Sequence, residues 1–195
     1  MSVRGKKVVM LIEDEHEDYE VWIPLRRLVQ QGAQVTLVAP EPGRYVSRHG
    51  NGINAELAAR EVDPARLHAL VIPGGNPRGR LRAHGSMVQL VRAAGLAGKT
   101  LAASSDGVWV LASAGLLRGR AATGLLRNRE DVRRGGGVWV DREVVRDANL
   151  ITSRSLPALC RELEAALRGA LPGPAQRLSR PVWHPSQPLG GRRSA

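Results

Sequence analysis

Short apolar runs alternate with amphipathic segments along most of this chain, and that alternation limits the folds open to it. The run KKVVMLI (6–12) is apolar without interruption at its end, which is typical of a strand buried on both faces of a parallel sheet. A segment with helical spacing follows at 19–32, and the next apolar run lies at 33–40. The repeated strand–helix order predicts an α/β fold with a mostly parallel sheet.

The same order continues toward the carboxyl end. Strands are predicted at 67–75 and in KTLAASSDG (99–107), which ends in a turn, and helices are predicted at 86–98 and 107–114. The remaining predicted elements are a hairpin excursion within 41–67, a short helix in NREDVRRGG, a β-rich ladder over 137–153 and a helix over 156–171. Residues 1–171 are therefore predicted to form one domain, and the Pro-, Gly- and Arg-rich residues 172–195 a surface extension or poorly ordered tail.

The charge of the chain does not by itself indicate a nucleic-acid partner. The formal net charge is +11, but five arginines lie beyond the last acidic residue, Glu164. No helix-turn-helix, zinc finger or aromatic-rich binding sheet accompanies this charge. A basic solvated surface is the favoured interpretation, and nucleic-acid association through the tail is the least supported hypothesis.

Other compositional features bear on where the protein works. No run of about 18 apolar residues is present, so no membrane partner is expected. The single cysteine, Cys160, excludes an internal disulfide and suits a reducing compartment, so we expect a cytoplasmic protein. Cys160 lies on the apolar face of its predicted helix and is expected to be a core residue rather than a nucleophile.

The stretch AASSDGVWVLASAG (102–115) predicts a strand that turns sharply into a helix. Enzymes place nucleophiles at such turns, where the side chain stands clear of the sheet and meets the helix N-terminus. Ser105 lies at the tip of this turn, and Asp106 and Gly107 follow it. A serine needs a general base to accept its proton as it attacks, and no histidine is adjacent in the sequence.

Several motifs in order, including RHGNGI, HALVIPGGNPRGRLR and GKTLAASSDGVWVLASAG, resemble the ThiJ/PfpI family of the class I glutamine amidotransferase-like superfamily. The resemblance runs from about Lys6 to Leu167. It implies a flavodoxin-like three-layer α/β/α sandwich that forms homodimers, in some members assembled into hexamers. It also implies glyoxalase-like, deglycase or peptidase-like activity, or chaperone and oxidative-stress roles, and no cofactor is expected.

The resemblance assigns expected roles to residues of the site. Ser105 stands where the family has its catalytic cysteine, and Asp106 where many members have histidine. Glu17 matches the family glutamate that hydrogen-bonds the cysteine. Gly74 and Gly75 match a turn whose backbone N–H groups face the nucleophile. A small carbonyl compound or anion is expected to bind against Gly75 and the N–H groups of residues 105–107, Gly107 included.

A general base for Ser105 is sought among the five histidines and the nearby carboxylates. His16 can face the mouth of the site, and His49, which the resemblance places near the site, is expected to be a loop or interface residue. The remaining histidines are expected to be structural, solvated or on the tail: His68, His84 and His184. Glu17 and Asp106 are alternative bases, and their mutual repulsion would raise one pKa. A protonated Glu17 that merely hydrogen-bonds Ser105 is the structural alternative.

The acidic run EDEHEDYE (13–20) has neither an EF-hand loop nor zinc-ligand spacing, so helix capping is favoured and no metal is expected.

Two hypotheses about function follow. The first is a binding, chaperone-like or stress-associated module that has lost cysteine chemistry. The second is a weak hydrolase or glyoxalase/deglycase-like enzyme that uses Ser105 with an unusual base.

Overall fold

The computed structural model describes residues 2–75 and 79–169. The predicted tail, residues 172–195, lies outside the described residues, as does His184. The strands are β1 Lys7–Leu11, β2 Gln34–Ala39, β3 Gly43–Val46, β4 Gly52–Ala55, β5 Leu57–Ala58, β6 Ala69–Ile72, β7 Thr100–Ser104, β8 Ala121–Ala122, β9 Val138–Trp139, β10 Val144–Asp147 and β11 Leu150–Ser153. The α-helices are α1 Asp18–Gln30, α2 Arg80–Ala83, α3 Gly85–Leu96, α4 Val108–Ser113, α5 Arg129–Arg134 and α6 Leu156–Leu167.

Seven strands form the central sheet in the order β10-β11-β7-β6-β1-β2-β5. Every neighbouring pair is parallel except β10 and β11, which are joined by the turn at Ala148 and run antiparallel. The central strands β1, β6 and β7 are almost continuously apolar and buried, because helices cover both faces of the sheet. The predicted flavodoxin-like three-layer α/β/α sandwich with a mostly parallel sheet is confirmed.

Each face of the sheet carries its own hydrophobic core. On one face α1 and α6 pack over side chains such as Met10, Val71 and Ile151. On the other face α3 and α4 pack over the alternate side chains of the same strands, such as Leu70 and Leu101. The alternation of side chains along each strand produces this division.

The spacing of the segment 19–32 predicts one packing face for α1, and this prediction is only partly correct: the predicted residues are Val21, Trp22, Leu25, Leu28 and Val29. Val21 and Leu28 are buried as predicted, whereas Trp22 and Val29 are exposed. The helical spacing identified the period correctly, but the buried stripe is narrower than the run of apolar residues. Trp22, together with Tyr19 and Ile23, forms an exposed apolar face at the amino-terminal half of α1.

The order of the strands fixes the position of the candidate site. The chain proceeds from β1 outward through β2, then returns to place β6 and β7 on the other side of β1. In open parallel sheets, ligands bind beyond the carboxyl ends of the strands where this reversal occurs. The segments that follow β1, β6 and β7 contain the acidic run, Gly74 and Gly75, and Ser105.

Candidate functional site

Ser105 lies immediately after β7, at the predicted turn into a helix. Its φ angle is +47°, a left-handed conformation that is unfavourable for a residue with a Cβ atom. A short 3₁₀ turn, residues 105–107, then leads into α4. The sharp strand-to-helix turn predicted from the sequence is therefore present, and it carries local backbone strain at Ser105.

The carboxyl group beside Ser105 belongs to Glu20. The Ser105 hydroxyl donates a hydrogen bond to Glu20 Oε1 over 3.0 Å. The hydroxyl of the preceding Ser104 donates to Glu20 Oε2, and the Gly74 N–H approaches the same oxygen at 3.2 Å. One buried carboxyl group therefore accepts hydrogen bonds from three groups that lie at the ends of β6 and β7.

Burial in the first turn of α1 raises the pKa of Glu20 above its ordinary value. The hydrogen bonds from Ser104, Ser105 and Gly74 favour the ionised form and oppose this increase, but burial is the larger effect. A carboxyl group with a raised pKa in contact with a hydroxyl has the geometry of a proton acceptor.

The expected partner of Ser105, Glu17, lies elsewhere, so that expectation is wrong. Glu17 forms an ion pair with Arg48 at the edge of the site, and its Oε2 lies 3.9 Å from His49 Nε2. The reason is where the helix begins. Glu17 is the N-cap residue with extended backbone, whereas Glu20 is already inside α1, one turn further along.

Asp106 is bound by its own partners and makes no described hydrogen bond to the Ser105 hydroxyl. Its carboxylate accepts hydrogen bonds from Arg127 Nε over 3.1 Å and Arg127 Nη2 over 2.6 Å, and from Asn128 Nδ2 over 2.9 Å. Asp106 thus connects the 105–107 turn to the loop that precedes α5. These contacts give Asp106 a structural role rather than the proposed role of base.

The glycines of the predicted ligand-binding turn have different surroundings. The Gly74 N–H is used by Ser104 Oγ, at 2.9 Å, and by Glu20, so it does not face a ligand as expected. Gly75 lines the cavity with a φ of +66°, and a Cβ atom there would overlap the Glu17 side chain. Gly107 is buried, and a Cβ atom there would overlap the Ile72 carbonyl oxygen. Gly74 and Gly107 therefore permit close packing.

A cavity of about 470 Å³ opens beside Ser105. Its volume is in the range of small-molecule sites. Besides Ser105 and its carboxylate neighbours, the walls include two arginines, two aromatic residues and one leucine: Arg48, Arg127, Tyr19, Trp109 and Leu125. The cavity therefore offers guanidinium N–H donors and aromatic surface next to the Ser105 hydroxyl.

No histidine is among the described residues that line this cavity. His16 is buried, and its Nδ1 lies 2.9 Å from the Glu13 carbonyl oxygen. His49 lies near Glu17, and His84 lies against Glu13. His68 accepts a hydrogen bond from the Lys7 N–H. The structure therefore does not bring the imidazoles considered from the sequence to the Ser105 hydroxyl.

Three further expectations concern metals, membranes and Cys160. Within residues 2–75 and 79–169, no three His, Cys, Asp or Glu side chains converge on a position suited to a metal ion. None of the helices described here has the length and apolar character needed to cross a membrane. Cys160 is buried on α6, as predicted, and burial raises the pKa of its thiol to about 11.

Comparison with known proteins decides the family. The model of the DJ-1/PfpI family matches residues 6–166. The chain belongs to the DJ-1/PfpI family. This DJ-1/PfpI protein is 37% identical over 165 residues to Deglycase TK1284 of Thermococcus kodakarensis, which covers 83% of this chain and 99% of that protein. It is 32% identical over 169 residues to General stress protein 18 of Bacillus subtilis, across 84% of this chain and 98% of that protein.

A solved structure shows the same fold. The DJ-1/PfpI chain resembles the crystal structure of a two-domain protein with DJ-1/ThiJ/PfpI-like and ferritin-like domains from Anabaena variabilis, with a TM-score of 0.78 and 33% identity. The match covers 89% of this chain and 52% of that one, so this chain spans about half the length of the two-domain protein.

Sequence reasoning did not find Glu20, Arg48 or Arg127 as members of the site. Glu20 had one available signal, its position one helical turn after Glu17 on the same side of α1. Arg48 and Arg127 had none, because arginines are frequent throughout the chain and their partners are distant in sequence. Only the folded loops bring these guanidinium groups to the cavity.

Proposed function

We propose that this DJ-1/PfpI protein binds small carbonyl or anionic compounds in the cavity beside Ser105 without forming a covalent bond to them. The observation that carries the proposal is the hydrogen bond from the Ser105 hydroxyl to Glu20, in a cavity whose described lining holds no histidine, lysine or cysteine. The family resemblance implies a cysteine at this turn, and the residue at this position in the chain is Ser105.

The physical difference between the two side chains supports this proposal. A cysteine thiol ionises near neutral pH when a helix N-terminus or a polar partner stabilises the thiolate. A serine hydroxyl remains protonated at all such pH values and attacks only when a base removes its proton in the same step. The buried Glu20 is a weak substitute for an imidazole in that step.

Turnover of methylglyoxal by the purified protein tests the proposal. We expect no turnover above the rate without protein, and a gain of turnover in a double variant with Ser105→Cys and Asp106→His. Ser113→Ala, at an exposed position on α4, serves as the matched serine control. Turnover that disappears in Ser105→Ala and persists in Ser113→Ala would reject noncovalent binding as the function.

A second candidate function is slow deglycase-like chemistry through Ser105. It is favoured by the 3.0 Å contact with Glu20, whose pKa is raised, and by the deglycase to which the chain is 37% identical. In the proposed step the Ser105 oxygen attacks a carbonyl carbon, Glu20 takes the hydroxyl proton, and the carbonyl electron pair moves onto its oxygen. Because Glu20 must be ionised, the rate should fall as pH decreases through its raised pKa, and Glu20→Gln should abolish the activity.

We also propose a stress-associated role, supported by the similarity to General stress protein 18. If the protein has the second candidate activity, a bacterial strain sensitive to methylglyoxal and producing this protein should survive higher concentrations of the compound than the same strain without it. A chaperone-like contribution would appear as suppression of light scattering by a heat-denatured client protein. Failure of both assays would leave ligand binding without a stress role.

A homodimer is proposed as the assembled form. The exposed apolar face of α1, formed by Tyr19, Trp22 and Ile23, lies beside the cavity and is suited to burial against a second copy. Sedimentation velocity should show a dimer that Trp22→Glu weakens. Leu96→Glu, at an exposed leucine on α3, is the control, and a monomeric wild-type protein would contradict the proposal.

A further inference from the structure

We infer that the cavity beside Ser105 selects small compounds in which a carboxylate neighbours a carbonyl group, and that Arg127 binds the carboxylate. The inference rests on the proposed function, because it specifies the ligand class of the same cavity. The way in which the protein holds the Arg127 guanidinium group supports it.

Asp106 fixes the orientation of Arg127. The guanidinium group uses its Nε and Nη2 atoms, along one edge, for the two oxygens of Asp106. Asp106 is itself buried and is also held by Asn128. Because both carboxylate oxygens are constrained, the guanidinium plane is constrained as well, and part of the conformational entropy of the Arg127 side chain is already lost before a ligand arrives.

The other edge of the same guanidinium group is directed away from Asp106. A guanidinium group has five N–H donors in a planar arrangement, and two are used on the Asp106 edge. The described hydrogen bonds include none from Arg127 Nη1. The side chain is 62% exposed and lines the cavity, so its Nη1–Nη2 edge remains accessible to a second planar oxyanion.

The lining of the cavity includes a second constrained arginine. Arg48 pairs with Glu17 and donates from Nη2 to the Gly75 carbonyl oxygen over 3.1 Å. The Tyr19 hydroxyl lies within electrostatic range of both Arg48 and Arg127. Two guanidinium groups and a phenol therefore line the cavity, and each can interact favourably with an anionic group.

The described contacts of the cavity carboxylates leave the outer edge of Arg127 open, because each carboxyl group is bound elsewhere. Glu17 is paired with Arg48, Asp106 with Arg127 and Asn128, and Glu20 with the two serine hydroxyls and Gly74. Arg127 and Ser105 line the same cavity, so a compound whose carboxylate is bound at the outer edge of Arg127 places its neighbouring carbonyl group within the cavity that contains Ser105. A neutral compound of the same shape would leave the outer edge of Arg127 without a charged partner.

Isothermal titration calorimetry of the full-length protein at low salt tests this inference with pyruvate, pyruvamide and acetate. Pyruvate and pyruvamide share their shape and differ in charge, whereas acetate has the carboxylate without the carbonyl. We expect the Kd for pyruvate to be about tenfold or more below those for the other two compounds. Arg127→Gln should remove the preference over pyruvamide, and Arg129→Gln, an equal change of charge outside the cavity, should keep it.

The outcomes separate this inference from the proposed function. Equal binding of pyruvate and pyruvamide would overturn the inference and leave ligand binding intact, whereas binding of neither would overturn both. Equal binding of acetate and pyruvate would remove the carbonyl from the ligand class. If Arg127→Gln does not fold, Arg127→Lys decides, because lysine lacks the planar arrangement of donors and should weaken pyruvate binding several-fold. An unchanged Kd in Arg127→Lys would contradict the inference.

Discussion

The contact between Asp106 and Asn128 should stabilise the fold more than the ion pair between Asp106 and Arg127. The two partners differ in burial: Asn128 is completely buried, whereas the Arg127 side chain is 62% exposed. When Arg127 is truncated, water in the cavity can solvate the Asp106 carboxylate. When Asp106 is truncated, water cannot reach the Asn128 amide, so its N–H loses its acceptor.

The expected magnitudes follow from that difference. A buried hydrogen bond to a charged group contributes about 1.5–3 kcal/mol, because its loss leaves a buried donor without a partner. An ion pair with an exposed guanidinium group contributes about 0–1 kcal/mol, because solvent screens it and the long side chain loses entropy. We therefore expect coupling free energies in these two ranges for the Asn128 and Arg127 pairs, respectively.

Two double-mutant cycles measure these couplings through urea unfolding at a fixed protein concentration. The first combines Asp106→Ala with Asn128→Ala, and the second combines Asp106→Ala with Arg127→Ala. Asp106→Ala with Arg129→Ala is the control and should be additive within about 0.5 kcal/mol. Added salt should reduce the Arg127 coupling and leave the Asn128 coupling nearly unchanged.

One result would refute this reasoning. If the Asp106–Arg127 coupling equals or exceeds the Asp106–Asn128 coupling at moderate salt, the cavity does not admit water to Asp106. In that case the ion pair, rather than the buried amide, would hold the 105–107 turn against the loop that precedes α5.

Three further predictions concern stability and reactivity. Since burial raises the pKa of Glu20, the folded protein binds the carboxyl proton of Glu20 more tightly than the unfolded chain does. The free energy of unfolding should therefore fall as pH rises from about 4.5 through the folded pKa, by about 1.4 kcal/mol for each unit of increase in pKa. The pH dependence of the unfolding free energy is measured for the wild-type protein and for Glu20→Gln, and the difference between the two isolates this fall. Identical pH dependences would contradict the prediction. Gly75→Ala should lower the stability to urea more than Gly5→Ala does. Both glycines have positive φ, but only a Cβ atom at Gly75 would meet a side chain, that of Glu17. Equal losses of stability would show that Glu17 moves without cost. Finally, the Cys160 thiol has a pKa of about 11, so it should react slowly with a thiol-specific disulfide reagent at pH 8 in the native protein and rapidly in denaturant. A fast reaction of the native protein would show that α6 opens.

The architecture was predictable from local patterns because each element of this fold is specified by nearby residues. The uninterrupted apolar runs at β1, β6 and β7 predicted strands buried on both faces. The helical spacing of the intervening segments predicted the crossover helices. The turn at Ser105 was predicted from the small-residue run that precedes it and the helical segment that follows.

The partners of the site residues were not predictable in this way. Glu17 and Glu20 are both acidic and both precede the apolar face of α1, so composition and spacing do not distinguish them. What distinguishes them is the residue at which α1 begins, because one turn of helix separates a side chain at the cavity edge from one beneath Ser105. The predicted helix start at residue 19 lies one residue from the observed start at Asp18, so the error lay in matching the family glutamate to Glu17 instead of to the glutamate one turn later.

By itself, the sequence of this protein determined the order of strands and helices, the parallel sheet and the serine at the strand-to-helix turn, since these depend on hydrophobic period and local backbone preference. Only the tertiary structure decided that Glu20 accepts a hydrogen bond from the Ser105 hydroxyl and that Asp106 binds Arg127 and Asn128. It also decided that the Gly74 N–H is hydrogen-bonded within the protein. Hydrogen bonds and ion pairs act over a few ångströms. Their partners are therefore fixed by how segments distant in sequence meet at the carboxyl ends of the strands, which local patterns do not specify.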